Sequence, residues 1–196
     1  MSPRGRPAGP SDARERILAA ARAEFAAKGY DKASLRGIAR VAEVDPSLVH
    51  HYFEGKEQVF VAAMRLPFDP ADALPRILAG NPDGLGERVT RFFLGVWARP
   101  ESREPFIALL SAATSSPAAA GMLREFVTGS LLARVAEASP IAGLPDRELR
   151  VEAAVAQLLG VALLRHVIGV EPIASAPEED VVALIAPALQ RHLSGE

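Results

Sequence analysis

Residues 34–57 read SLRGIARVAEVDPSLVHHYFEGKE, and the fold turns on how this stretch divides. Ser34 is an N-cap residue. Behind it Leu35, Ile38, Ala39 and Ala42 fall at i, i+3, i+4 and i+7, the apolar face of a helix over about 35–42 from which Arg36 and Arg40 point away. Only Glu43 and Val44 then separate this helix from the next start. There Asp45 can cap, and Pro46 takes the first helical position, where a missing N–H is of no consequence. That helix ends near Phe53, ahead of Gly55, and a further one runs from Lys56 to about Leu66. Two short helices joined by so tight a turn are the helix-turn-helix arrangement, whose later helix lies in the DNA major groove.

At 100° per residue, Val49, Phe53 and Tyr52 share one face of the later helix and form its packing side. Ser47 and His51 point roughly 160–200° away, flanked by His50 and Leu48. The two adjacent histidines therefore belong to the outward face. Chelation by the pair is disfavoured, because helical neighbours diverge by about 100° and a chelating pair needs i, i+3 or i, i+4 spacing. His166 and His192 are remote and bring no carboxylate–histidine motif, so no metal is expected. A solvated polar face is the plain alternative for the histidines. The company they keep favours contact with DNA: Pro46, Ser47, Leu48, His50 and His51 mix hydrogen-bonding and apolar groups without a fixed charge, which suits base edges and thymine methyls. Lys56, opening the following helix, is within reach of a phosphate.

Outward from this core, helical periodicity continues and no alternating run is long enough for a sheet, so the class is all-α. Upstream, a helix from about Ser11 or Asp12 to Lys28 carries Ile17, Leu18, Ala21 and Phe25 on one stripe, and Gly29 stops it. Downstream, LPFDPADALPRILAGNPDGLG holds Pro67, Pro70, Pro75 and Pro82 with its glycines, which prevents a long helix and marks a boundary. Helices then follow near 84–98, 102–115, 117–138, 146–169 and 178–193.

Bulk properties narrow the partners. With 49% hydrophobic residues and a mean hydropathy of +0.13, the 196-residue chain has ample core material. It has no cysteine, which removes disulfides and thiolate chemistry and fits a reducing cytoplasm. The first residues lack an apolar signal-peptide core, so a cytoplasmic protein is expected. The apolar stretch 151–170 reaches membrane-span length, but Glu152, Gln157, Arg165 and His166 would be expensive in hydrocarbon, and a buried helix with no membrane partner is the reading. The net charge is −2, yet residues 1–65 hold 11 Lys and Arg against 8 Asp and Glu while residues 66–196 hold 11 against 16. The N-terminal part is thus the one suited to an anionic partner.

The combination SLRGIARVAEVDPSLVHHYFEGKEQVF, preceded by RERILAAARAEFAAKGYDKAS, resembles the DNA-binding domain of the TetR family of bacterial transcriptional regulators. The resemblance covers about residues 11–71, with the helix-turn-helix motif at 34–53. It implies that Ser34 and Arg36 meet phosphate or a base, that Pro46, Ser47, Leu48, His50 and His51 face the major groove, and that Tyr52 and Lys56 hold the DNA backbone. Two positions depart from the family pattern. Glu43 stands where a glycine is usual, and would have to accept a left-handed conformation at about 1 kcal/mol unless the turn is reshaped. His50 stands where a tyrosine is common, and being titratable its contact would weaken as pH rises. Residues 1–10 are expected to form a flexible basic arm, in which PRGRP resembles an AT-hook core that would lay Arg4 and Arg6 along a narrow minor groove. A basic tail without that role is the other reading.

Residues 72–196 resemble the helical regulatory domain of the same family, which implies effector binding and dimerisation. The helices near 146–169 and 178–193 suit a homodimer: Ala153, Ala154, Ala156, Gly160 and Ala162 permit close approach, and Val181, Val182, Leu184, Ile185, Leu189 and Leu193 offer a broad apolar surface. A symmetric dimer would read a palindromic operator. An effector cavity would be lined by Phe92, Trp97, Leu110, Met122, Phe126 and Leu158, with Gln157, Arg165 or His166 orienting a small molecule, although the apolar members also fit a plain core. Arg165 must be paired, for instance with Glu125, Glu137 or Glu152, or face a ligand or a partner subunit. The expected protein is a DNA-binding regulator, a repressor released by a small-molecule effector, with no cofactor. A C-terminal part that binds a protein partner instead is the alternative. An all-α enzyme using Arg165 and His166 is a remote one, because no nucleophile–base set or phosphate loop can be assembled.

Overall fold

The computed structural model describes residues 10–138 and 140–194, and every regular element among them is helical. The chain divides into two compact units. One holds the described residues up to Leu66 together with Ala108–Phe126, and the other holds Pro67–Ile107 and the residues from Val127 onward.

In the first unit, α1 (Pro10–Lys32) is interrupted at Gly29, whose φ of 78° takes the chain out of the helix where the sequence places its stop. α2 (Leu35–Val41), α3 (Pro46–Tyr52) and α4 (Lys56–Ala63) follow. The apolar stripes converge as their spacing requires: Ile17, Ala21, Phe25, Ile38, Val49, Val59 and Phe60 are buried. An aromatic cluster seals the base of this bundle. Phe25 meets Phe60 edge-on at 5.0 Å, and Phe60 stacks at 4.3 Å on Phe126 from α8 (Pro117–Phe126), which follows α7 (Pro100–Ser115). Buried aromatic pairs of this kind contribute about 0.5–1.5 kcal/mol beyond their area. The Asp31 N–H donates to Glu125 Oε2 at 3.0 Å, tying the end of α1 to α8.

In the second unit a nine-residue α5 (Pro70–Leu78) forms inside the proline-rich boundary. Asp69 caps it and Pro70 sits in its first turn. The exposed Pro75 lies far enough along that only one intrahelical donor is missing. α6 (Leu85–Ala98) packs along α11 (Glu178–Ser194). The approach is closest at Gly86, where an added Cβ would lie 2.5 Å from the Ala186 carbonyl and 2.6 Å from the Gln190 nitrogen. Gln190 also accepts from the Gly86 N–H at 2.8 Å and donates to the Pro82 carbonyl at 3.0 Å, fixing the register. α9 (Ala133–Ala138) and α10 (Arg147–Ala162) complete the unit around a core of Leu85, Leu132, Ile141, Val151, Leu158 and Leu189.

Two segments are π-helical, Val127–Leu132 ahead of α9 and Leu163–Ile168 at the end of α10, the second closed by Gly169 at φ 72°. The stretch expected as a buried helix is buried along one face. Val151, Ala154, Leu158, Val161 and Ala162 are inside, whereas Leu149, Leu164, Val167, Ile168 and Val170 are 40–66% exposed.

Candidate nucleic-acid interface

The recognition face is built from the caps upward. Ser34 Oγ accepts from the Gly37 N–H at 3.1 Å and starts α2, which leaves its hydroxyl proton free for an outside acceptor. Asp45 Oδ1 accepts from the Ser47 N–H at 2.8 Å and from the Ser47 hydroxyl at 2.6 Å. Those donations, the side-chain one first, hold the Asp45 carboxyl below the usual carboxylate range. The Ser47 hydroxyl proton is thereby committed to Asp45, and its oxygen keeps the capacity to accept.

Packing then aims the helix. Val49 and Phe53 are buried, and Tyr52 is half-buried with His51 edge-on to its ring at 5.2 Å. On the other side Pro46, Ser47, His50 and His51 are exposed and Leu48 is half-buried, so these five residues share one outward surface. Arg36 is exposed on α2 and has no carboxylate partner among the described residues. Beneath the surface Glu43 does take the left-handed conformation, at φ 53°. The Ala39 carbonyl accepts from the Val44 N–H at 3.0 Å, which closes the turn around it.

Lys56 occupies a more specific position than a surface phosphate clamp would require. Its ammonium donates to the Tyr30 carbonyl at 2.9 Å and the Asp31 carbonyl at 3.1 Å, and lies 4.5 Å from the centre of the Tyr30 ring. Two of its three protons are used inside the unit; one remains.

Comparison with known proteins gives these residues their context. Residues 17–63 match the family described as bacterial regulatory proteins, tetR family, and residues 83–193 match the tetracyclin repressor-like C-terminal domain. The chain is 36% identical to a TetR-family regulator from Streptomyces coelicolor A3, over 97% of this chain and 99% of that one (TM-score 0.48). The chain belongs to the TetR family. A transcriptional regulator from Rhodococcus sp. Rha1 is 23% identical over 93% of this chain and 96% of its own, with a TM-score of 0.48. GusR from Salmonella enterica is 25% identical over 93% and 94%, with a TM-score of 0.45. The comparison with curated proteins gives no match. This TetR-family chain is a DNA-binding transcriptional regulator of a family whose members typically act as homodimers.

The remaining candidate residues of this TetR-family protein scatter. Arg4 and Arg6 lie outside the described residues. Of the residues considered for an effector cavity, Leu110, Met122 and Phe126 belong to the first unit, where Met122 and Phe126 are buried. Phe92, Trp97, Gln157, Leu158, Arg165 and His166 belong to the second, where Leu158 is core and Trp97 is fully enclosed. Arg165 pairs with none of the glutamates considered for it among the described residues; its guanidinium donates to the Ile173 carbonyl at 2.6 Å. Arg103 and Phe106 were not singled out from the sequence. Their proximity to His166 and Trp97 arises from the packing of separate helices, and nothing in their spacing along the chain signals it.

Proposed function

We propose that this regulator is a repressor that binds a palindromic operator as a homodimer and leaves it when an effector occupies the C-terminal part. Residues 11–71 would read DNA and residues 72–196 would dimerise and take the effector. In this reading Arg36 and Ser34 meet phosphate or a base, the surface of Pro46, Ser47, Leu48, His50 and His51 enters the major groove, and Tyr52 and the third proton of Lys56 hold the backbone. Two such surfaces must stand about 34–36 Å apart, or a multiple, to engage successive turns of one duplex. The exposed apolar stripe of α10 and its neighbour α11 supports dimerisation there. An effector that prefers the released form by about 1–3 kcal/mol would shift the population off the operator.

The observation that carries the DNA-binding part is the outward face of α3, five residues without a fixed charge behind the cap at Asp45, together with the exposed Arg36 on α2, which has no carboxylate partner among the described residues. Footprinting across the DNA upstream of its own gene tests it. Arg36→Ala and His51→Ala should each weaken operator binding about tenfold or more, the scale of a lost phosphate or base contact, while sedimentation still shows the dimer. Equal protection by wild type and both variants would overturn the assignment.

A further inference from the structure

Within the second unit one cluster combines features that a plain core does not need. Trp97 is 1% exposed, yet its indole Nε1–H has no hydrogen-bond partner among the described residues. A buried donor left unpaired costs about 1–3 kcal/mol, and packed interiors leave few such groups. The indole stacks on Phe106 at 5.8 Å with the rings 9° from parallel. Arg103 lies one turn before Phe106 on α7, so both side chains issue from one side of that helix.

Arg103 also lies close enough to His166 to act on its titration, as does Arg165. Burial first, then these two guanidiniums, lower the His166 pKa. Neither arginine, each half-buried, has a carboxylate partner among the described residues. Arg165 and His166 sit in the π-helical turn Leu163–Ile168, an irregularity found frequently at functional sites. Among the described residues, then, neither guanidinium meets a carboxylate and the indole N–H meets no acceptor, and the stack of Trp97 on Phe106 links that donor to the helix that carries Arg103.

We propose that the effector is an aryl carboxylate whose carboxyl group is taken by Arg103 and Arg165 and whose ring lies against the Trp97–Phe106 pair. A carboxylate supplies what each group lacks. Its two oxygens match a guanidinium fork, a lone pair remains for the indole N–H, and its negative charge offsets both cations. The apolar ring gains by leaving water against Trp97 and Phe106. Inorganic anions satisfy the charge alone and leave the aromatic surface uncovered. This assignment rests on the effector reading above and adds the chemical class.

Trp97 is the only tryptophan, so fluorescence excited at its red edge reports on this cluster alone. The full-length protein is titrated with phenylacetate, 3-phenylpropionate and 4-phenylbutyrate, with their primary amides, and with inorganic phosphate. At least one carboxylate should produce a saturable change, with its amide and phosphate about tenfold weaker or more, the loss expected for a charge-assisted pair. Arg103→Gln should weaken that carboxylate by a similar factor while sparing helicity and the dimer. Arg165→Lys, which keeps the charge and loses the fork, should fall between wild type and Arg103→Gln. No saturable change with any carboxylate, amides that bind as well, or variants that bind like wild type would overturn the proposal. Operator release measured in the same titrations separates the two readings. Release by amides but not by carboxylates keeps the effector-responsive repressor and removes the anion site. Carboxylate binding at Trp97 without any release keeps the anion site and removes its effector role.

Discussion

Lys56 and Tyr30 form one joint: the ammonium opening α4 donates to the Tyr30 carbonyl at the end of α1 and rests 4.5 Å from the centre of the same residue's ring. The Asp31 carbonyl takes a second proton. The lysine therefore sets where α4 starts, and with it the distance from the recognition helix to the rest of the unit.

Lys56→Met keeps most of the stem and removes the charge. Thermal unfolding should show a loss of about 1.5–3 kcal/mol, the range for hydrogen bonds to a charged group. Operator affinity should fall as well, and a shallower dependence on salt would show that the third proton meets a phosphate. An unchanged midpoint would mean that the joint contributes nothing to folding.

Glu43 bears on the turn between α2 and α3. At φ 53° it holds a conformation that costs an ordinary L-residue about 1–2 kcal/mol. Glycine relieves that cost but loses about 0.5–1 kcal/mol through the greater freedom of the unfolded chain. Glu43→Gly should therefore be close to neutral or stabilise by up to about 1.5 kcal/mol. Glu43→Val, branched at Cβ, should destabilise by more than 1 kcal/mol, roughly. Equal midpoints for the two variants in urea would show that the turn rearranges freely.

What the sequence disclosed follows from the range of the physics involved. The caps at Ser34 and Asp45, the proline opening α3 and the stop at Gly29 act over three or four residues, and each stands where the local pattern places it. The outward aim of His50 and His51 follows from helical geometry alone. α5 was hidden because its prolines read as breakers, although Pro70 in a first turn favours a helix. The π turn at Leu163–Ile168 leaves no composition signal, and it is what carries Arg165 and His166. The stacking of Phe106 on Trp97 and the nearness of Arg103 to His166 depend on the packing of α6, α7 and α10, which periodicity cannot reach.

The exposed stripe on α10 bears on assembly. Leu149, the half-buried Ala153, Ala156 and Gly160, continued by Leu164 and Val167 in the π-helical segment, recur at three- to four-residue steps, and a Cβ added at Gly160 would meet nothing within 4 Å. A face that is apolar, narrow at its centre and uncovered in the single chain suits a second copy pressed close. Ala156→Arg should leave circular dichroism unchanged, because residue 156 is exposed, yet shift sedimentation towards monomer and abolish the operator footprint. A variant that sediments as a dimer would place the interface elsewhere.

His166 bears on pH. Burial, followed by the Arg103 and Arg165 guanidiniums, holds its pKa below the ordinary 6.5. The unfolded chain therefore binds this proton at a higher pH than the folded one, and stability rises with pH wherever the unfolded state carries more protons. The contribution of His166 is full above the unfolded value and is lost as pH falls through about 6.5 towards the lowered folded value. His166→Gln removes that dependence. Between about pH 7.5 and about pH 5.5 the wild-type midpoint should fall by more than that of the variant, while groups that titrate in both cancel from the comparison. A bound aryl carboxylate should narrow the gap, because a negative charge between the two arginines lets the imidazole take up its proton within the fold. Parallel slopes in the absence of any carboxylate would show that His166 titrates as it does in water and that the two guanidiniums do not bear on it.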